Sequence, residues 1–118
     1  AAKHARAVVE GVARAEMEFD LGDELGNHFD GHEREGLDHL LAASVMARGS
    51  FLDGLASLSA AGLLGSMGKL EEAFDVYLHA EEVCRGVRDD GLYAEAKGRL
   101  IDAAGRLGHT TRLPPHLC

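Results

Sequence analysis

Gly68-Lys69-Leu70-Glu71-Glu72-Ala73-Phe74-Asp75-Val76-Tyr77-Leu78-His79-Ala80 is the stretch on which the fold turns. Leu70, Phe74, Tyr77, Leu78, Ala80 and Val83 recur at the steps that put side chains on one face of an α-helix. Gly68 breaks the chain before this helix. Arg85-Gly86 behind it places a cation at the negative end of the helix dipole and a glycine where a left-handed C-terminal cap is usual. The same pattern stands upstream, where Leu37, Leu40, Leu41, Val45 and Met46 keep helical spacing between Glu33 and Ala47 and Arg48-Gly49-Ser50 closes the run.

The two patterns belong to an internal repeat. Sliding the chain along itself by 37 residues aligns Gly31–Gly68 with Gly68–Gly105 and gives twelve identities in 38 positions, among them Gly31/Gly68, Asp38/Asp75, Ala43/Ala80, Arg48/Arg85, Gly49/Gly86 and Leu63/Leu100. About three would be expected by chance in a chain this rich in Gly, Ala and Leu. Each unit reads as two helices. Leu55 to Met67 and Leu92 to Leu107 form the first helices of successive units, with Asp53-Gly54 and Asp89-Asp90-Gly91 supplying acidic groups to their N-termini. Upstream, the stripes Val8, Val12, Ala15, Phe19 and Leu21, Leu25, Phe29 predict helices over 3–18 and 19–30, so six helices and no strand are expected. Leu113-Pro114-Pro115-His116 cannot continue a helix, which predicts an extended tail over 109–118.

Composition narrows the function. The 118 residues are one domain's worth of chain, 46% hydrophobic and 27% charged, enough to bury a core. Twenty acidic against twelve basic side chains leave a net charge of -8, which repels a phosphate backbone and argues against nucleic acid as a partner. The longest uncharged run, Gly54 to Gly68, is too short and too rich in Gly and Ser to span a membrane. The first residues do not resemble a secretory signal, and the lack of an initiator Met is what an excerpt of a longer chain would show. Cys84 and Cys118 form neither a disulfide framework nor a C-x-x-C motif, so a cytoplasmic location is expected. Fifteen glycines and no Trp mean that small residues do the packing.

The segment from Leu55 to Val83 resembles the tetratricopeptide repeat (TPR) family: Ala61, Leu64, Gly68, Ala73, Tyr77 and Ala80 fill its pattern of small, large, turn and small residues. Leu25-Gly26-Asn27-His28-Phe29 with Gly36, Leu40 and Ala43 is similar to a preceding unit, and Gly98, Ile101 and Gly105 to the first helix of a following one. The spacing from Phe29 to Gly36 is two residues shorter than from Leu64 to Ala73, which asks for a tighter turn or a different register. The resemblance implies an all-α fold of antiparallel helix pairs stacked as a right-handed solenoid over 1–108. The units would lie near 19–50, 51–88 and 89–108, after a helix at 3–18. It also implies a scaffold or adaptor without catalytic machinery or cofactor, binding a partner in the groove lined by the first helices.

Carried over position by position, the groove would be lined by Asp20, Asp23, Asn27 and Asp30 in the first unit and by Leu55, Leu58, Gly62, Gly65 and Ser66 in the second. Leu92, Glu95, Arg99, Asp102 and Ala103 follow in the third. The expected contact residues are Asp23, Asn27, Asp30, Leu58, Gly62, Ser66, Glu95, Arg99 and Asp102, a groove with an apolar centre and acidic ends. Family members that clamp acidic C-termini use Lys, Arg and Asn there, whereas Asp23, Leu58 and Glu95 stand at the matching positions here. The implied partner is a protein or peptide with apolar and basic residues. Neighbouring repeats of a larger chain, or a second copy, could stack on the end surfaces.

One rival reading concerns metal. On a single continuous helix His28, His32, Glu35 and His39 would share a face at steps of four, three and four, a layout similar to the metal-binding helices of hemerythrin-like bundles. Gly31 and Gly36 disfavour such a helix. Ser44, Ser50 and Ser57 show no recognisable nucleophile arrangement, and the Gly62–Gly68 run lacks the ending of a phosphate loop.

Overall fold

The computed structural model describes residues 2–117, with side chains from Val9 onward. Five α-helices follow one another, α1 (Ala2–His28), α2 (Glu33–Met46), α3 (Phe51–Ser66), α4 (Leu70–Val87) and α5 (Asp90–Leu107), and no strand occurs among the described residues. The fold is all-α. Each helix packs on the next, most extensively α1 on α2 and α3 on α4. In addition α1 touches α3 and α3 touches α5, whereas α2 and α4 do not meet. The odd-numbered helices therefore form one layer and the even-numbered ones the other, in a slab of 50 × 36 × 19 Å.

The expected break near residue 18 is absent. α1 runs unbroken because Ala15, Phe19, Gly22, Leu25 and Gly26 form one strip that turns with the helix, and no proline or turn cluster interrupts it. Gly22 and Gly26 of α1 are contact points. A Cβ on Gly22 would lie 2.8 Å from the Gly36 carbonyl oxygen, and one on Gly36 would lie 2.4 Å from the Gly26 nitrogen, so α1 and α2 touch backbone to backbone. The register of the first unit also differs from the expected one. Phe29 lies beyond the end of α1, 51% exposed, and does not occupy the buried place that Leu64 holds on α3.

The 37-residue correspondence holds best at the turns before α2 and α4. Gly31 and Gly68 both adopt left-handed backbone, at φ +84° and +80°, and α2 and α4 begin 37 residues apart. It then drifts. α4 has 18 residues against 14 in α2, so Gly86, expected as a cap, sits inside α4, and Arg88 takes the left-handed position at φ 63°. Consequently Leu100 is buried like Leu63, but Ile101 is 39% exposed where Leu64 is 2% exposed. The core of α5 is the four-residue ladder Leu92, Ala96, Leu100, Ala104. These pack with Leu58, Leu63 and Leu64 of α3 and with Ala73, Phe74, Tyr77 and Cys84 of α4 in a single cluster that also takes in Leu37 and Leu40 of α2.

Two further expectations change. Asp89 caps α5 as anticipated, accepting the Leu92 N–H at 2.9 Å, but the cap of α3 is Ser50, which accepts the Asp53 N–H at 3.3 Å. Asp53 is fully buried instead. The tail is not extended: 3-10 turns at Thr110–Arg112 and Pro115–Leu117 fold it along α4. His109 bonds Glu71, Arg112 lies 4.9 Å over the Phe74 ring, and His116 bonds the buried Glu81, while Leu113 and Leu117 pack on the core. Carboxylates of α4 thus hold the tail through the His109 and His116 rings and the Arg112 guanidinium.

Candidate functional site

The layer of α1, α3 and α5 carries the residues singled out from the sequence. Asn27 of α1, Leu58, Ser59, Gly62 and Leu63 of α3, and Glu95 and Arg99 of α5 surround one cleft of about 210 Å³. Five of the nine expected contact residues thus meet at one place. Leu58 forms its floor and is only 7% exposed. Gly62 keeps the floor low: a Cβ there would stand 3.9 Å from both the Arg99 guanidinium and the Tyr77 hydroxyl. Arg99 pairs with Glu95 at 3.0 Å, and interaction with the Tyr77 hydroxyl, followed by that with Glu95, raises its pKa above the usual arginine value.

The remaining expected residues are spread around this cleft. Asp23 accepts from the Asn27 amide at 2.9 Å one turn back along α1. Ser66 donates to the Leu63 carbonyl and lines an adjoining cavity together with Asn27 and Gly26. Asp102 accepts from Arg106 at 2.9 Å and lines a cavity of about 520 Å³ with Arg99, Tyr77, Gly65 and Leu70. Asp30 lies in the turn after α1 and lines none of these cavities. In the wider set, Leu92 is buried beneath α5 against the Gly54 position, and so belongs to the core.

A buried polar knot braces the layer from behind. The Asp53 carboxylate accepts hydrogen bonds from Ser44 of α2 at 2.5 Å, Ser57 of α3 at 3.0 Å, the Gly49 N–H at 2.8 Å and His79 Nε2 of α4 at 3.1 Å. Burial pushes this carboxyl up, but the bonds from Ser44, Gly49, His79 and Ser57 together outweigh it and hold Asp53 below its ordinary value. The carboxylate, not the imidazole, is the hub, and neither hydroxyl is bonded to His79. Ser44 and Ser57 thus both bond the Asp53 carboxylate and not the His79 ring. Burial likewise pushes the Cys84 thiol up to about 11, with Asp53 and Glu81 adding to it, so the thiolate form is suppressed.

The helix that the metal reading required is interrupted. α1 ends at His28, α2 begins at Glu33, and His32 precedes it, bonding Glu35 at 3.2 Å. His39 reaches across to Glu18 of α1 instead. Among the described residues no three His, Cys, Asp or Glu are placed to share a metal ion, and no helix is long and apolar enough to cross a membrane.

Several residues in the groove were not anticipated. Tyr77 reads as core from its spacing, and only the packing of α4 beside α5 brings its hydroxyl to Arg99. Between α1, the end of α2 and the start of α3 lies a mainly apolar wedge of about 610 Å³ that Val12, Met46 and Phe51 line together with the expected Leu55. Their exposure carries no sequence signal, because each keeps the spacing of a buried residue. Searches of protein-family models, of curated proteins and of solved structures find no match to this chain.

Proposed function

We propose that this chain is a protein-interaction module, a TPR-like right-handed array of helix pairs acting as a scaffold or adaptor in the cytoplasm. It binds a segment of a partner protein in the groove between α1, α3 and α5. The observation that carries this reading is the convergence of Asn27, Leu58, Gly62, Glu95 and Arg99, from three helices, on one cleft. The two-layer packing and the matched left-handed Gly31 and Gly68 support the repeat reading. The groove binds and does not catalyse: its carboxylates Glu95 and Asp102 are neutralised by Arg99 and Arg106, and binding through an apolar floor with a polar rim needs no further chemistry.

The test uses the full chain as bait in extract from its native source, comparing wild type with Gly62→Arg, which fills the cleft floor, and Val45→Arg, on the exposed face of α2. A partner retained by wild type and Val45→Arg but lost with Gly62→Arg supports the groove. A partner lost only with Val45→Arg moves the site to α2, and equal retention by all three overturns the proposal.

A further inference from the structure

The groove is not symmetric, and its asymmetry specifies the chemistry of what it holds. On α1, Glu16, Asp20, Asp23 and Asn27 follow one another at steps of four, three and four, a single face of the helix that leads from the apolar wedge to the Asn27 and Leu58 cleft. Glu16 and Asp20 have no cationic partner among the described residues, and Asp23 accepts only from Asn27. The opposite wall is self-neutralised, since Glu95 pairs with Arg99 at 3.0 Å and Asp102 with Arg106 at 2.9 Å. Uncompensated negative charge therefore lines one wall only. Among the described residues Arg48 is the one cation lining the wedge, and it sits at the α2–α3 turn.

The wedge supplies the apolar half of the site. Val12 is 52% exposed, Met46 46% and Phe51 45%, gathered at its mouth over Ala15, Leu52 and Leu55. Apolar side chains gathered in a concave cleft mark an interaction surface. Between its ends the groove follows the 16 residues of α3, about 24 Å of helix axis at ~1.5 Å per residue.

Resting on the groove reading above, we infer that the occupant is a cationic amphipathic helix of a different protein. Its apolar stripe fills the α1–α3 wedge and its lysine or arginine face lies against Glu16, Asp20 and Asp23. Charge complementarity selects this occupant: an acidic helix meets an uncompensated acidic wall, and a second copy of a chain with net charge -8 is repelled.

The experiment uses a fluorescein-labelled synthetic helix of about 16 residues, leucines on one face and lysines on the other. Its controls are a scrambled peptide of equal composition and a leucine/glutamate counterpart. Fluorescence anisotropy should show the amphipathic lysine peptide binding at least about tenfold more tightly than either control, with affinity falling as salt rises. Asp20→Lys with Asp23→Lys should weaken it about tenfold or more, Phe51→Asp should weaken it as well, and Glu72→Lys, on the exposed face of α4 in the other layer, should change it less than about twofold. Circular dichroism confirms that each variant keeps its helix content. If Gly62→Arg and Phe51→Asp abolish binding while the Asp20/Asp23 variant does not, the charged-wall inference fails and the groove reading stands. If Gly62→Arg and Phe51→Asp both leave binding intact, the groove reading fails with it. Equal affinity for the scrambled peptide, or a self-associated chain that the Asp20/Asp23 variant dissociates, overturns the inferred partner.

Discussion

Replacing Gly36 with alanine tests the close α1–α2 seam most directly. In a helix interior this change ordinarily stabilises by about 1 kcal/mol, because glycine loses more backbone entropy on folding. Here the added methyl carbon would stand 2.4 Å from the Gly26 nitrogen, 2.5 Å from its Cα and 2.8 Å from the Gly22 oxygen, all backbone atoms that cannot rotate aside. Reaching ordinary contact requires α1 to retreat from α2 by about 1 Å, which loosens the packing of Ala15, Leu37, Leu40 and Ala43 along the seam. Overpacking of this kind costs about 1 to 3 kcal/mol, and with no flexible atom to give way the upper figure applies. Subtracting the intrinsic gain leaves a loss of about 2 kcal/mol, or a fall in Tm of about 8 °C for a chain of this size. The matched control is Gly98→Ala on α5, where nothing lies within 4 Å of the new methyl and a gain of up to about 1 kcal/mol is expected. Thermal and urea unfolding followed by circular dichroism measures both. A Gly36→Ala variant as stable as wild type would show that the seam is looser than described, and a destabilising Gly98→Ala would remove the control on which the comparison rests.

Asp53→Asn should destabilise by about 2 kcal/mol at neutral pH, because one carboxylate acceptor becomes a donor facing the Ser44, Ser57, His79 and Gly49 donors. Since folding lowers the Asp53 pKa, its contribution is complete above the ordinary carboxylate range and is lost as pH falls through the lower folded value. Urea unfolding should therefore show a wider gap between wild type and variant at pH 7 than at about pH 3, and a constant gap refutes the assignment. Arg88→Gly should raise stability by about 1 kcal/mol, because it relieves a left-handed residue bearing a Cβ at φ 63°. A loss in that variant would mean that the Arg88 side chain holds the α4–α5 turn.

Helix content and most helix limits were readable in the chain, because the apolar period of three to four residues and the Gly and Ser punctuation act within a few residues of one another. α2 and the end of α5 fall where that pattern puts them, whereas α3 starts four residues before Leu55 and α4 runs through Gly86. The failures share a cause. Gly36 counts against a helix in the sequence, yet it lies inside α2, and only the facing backbone shows which α1 atoms, those of Gly22 and Gly26, it meets. Phe29 has the spacing of a core residue but lies past the end of its helix. The tail, with its prolines, has no helical pattern, and its course along α4 depends on Glu71, Asp75 and Glu81, 35 to 38 residues before their partners in the chain.

The candidate groove divides in the same way. Its members were legible one helix at a time, since residues four apart share a face wherever a helix forms. That Asn27, Leu58 and Arg99 face one cleft, that Arg99 already satisfies Glu95, and that Val12 and Phe51 line one cavity depend on how the helices sit beside one another. Helical periodicity is a local property of the chain. Which faces meet, and which carboxylates remain without a partner, is decided by packing among residues distant in sequence.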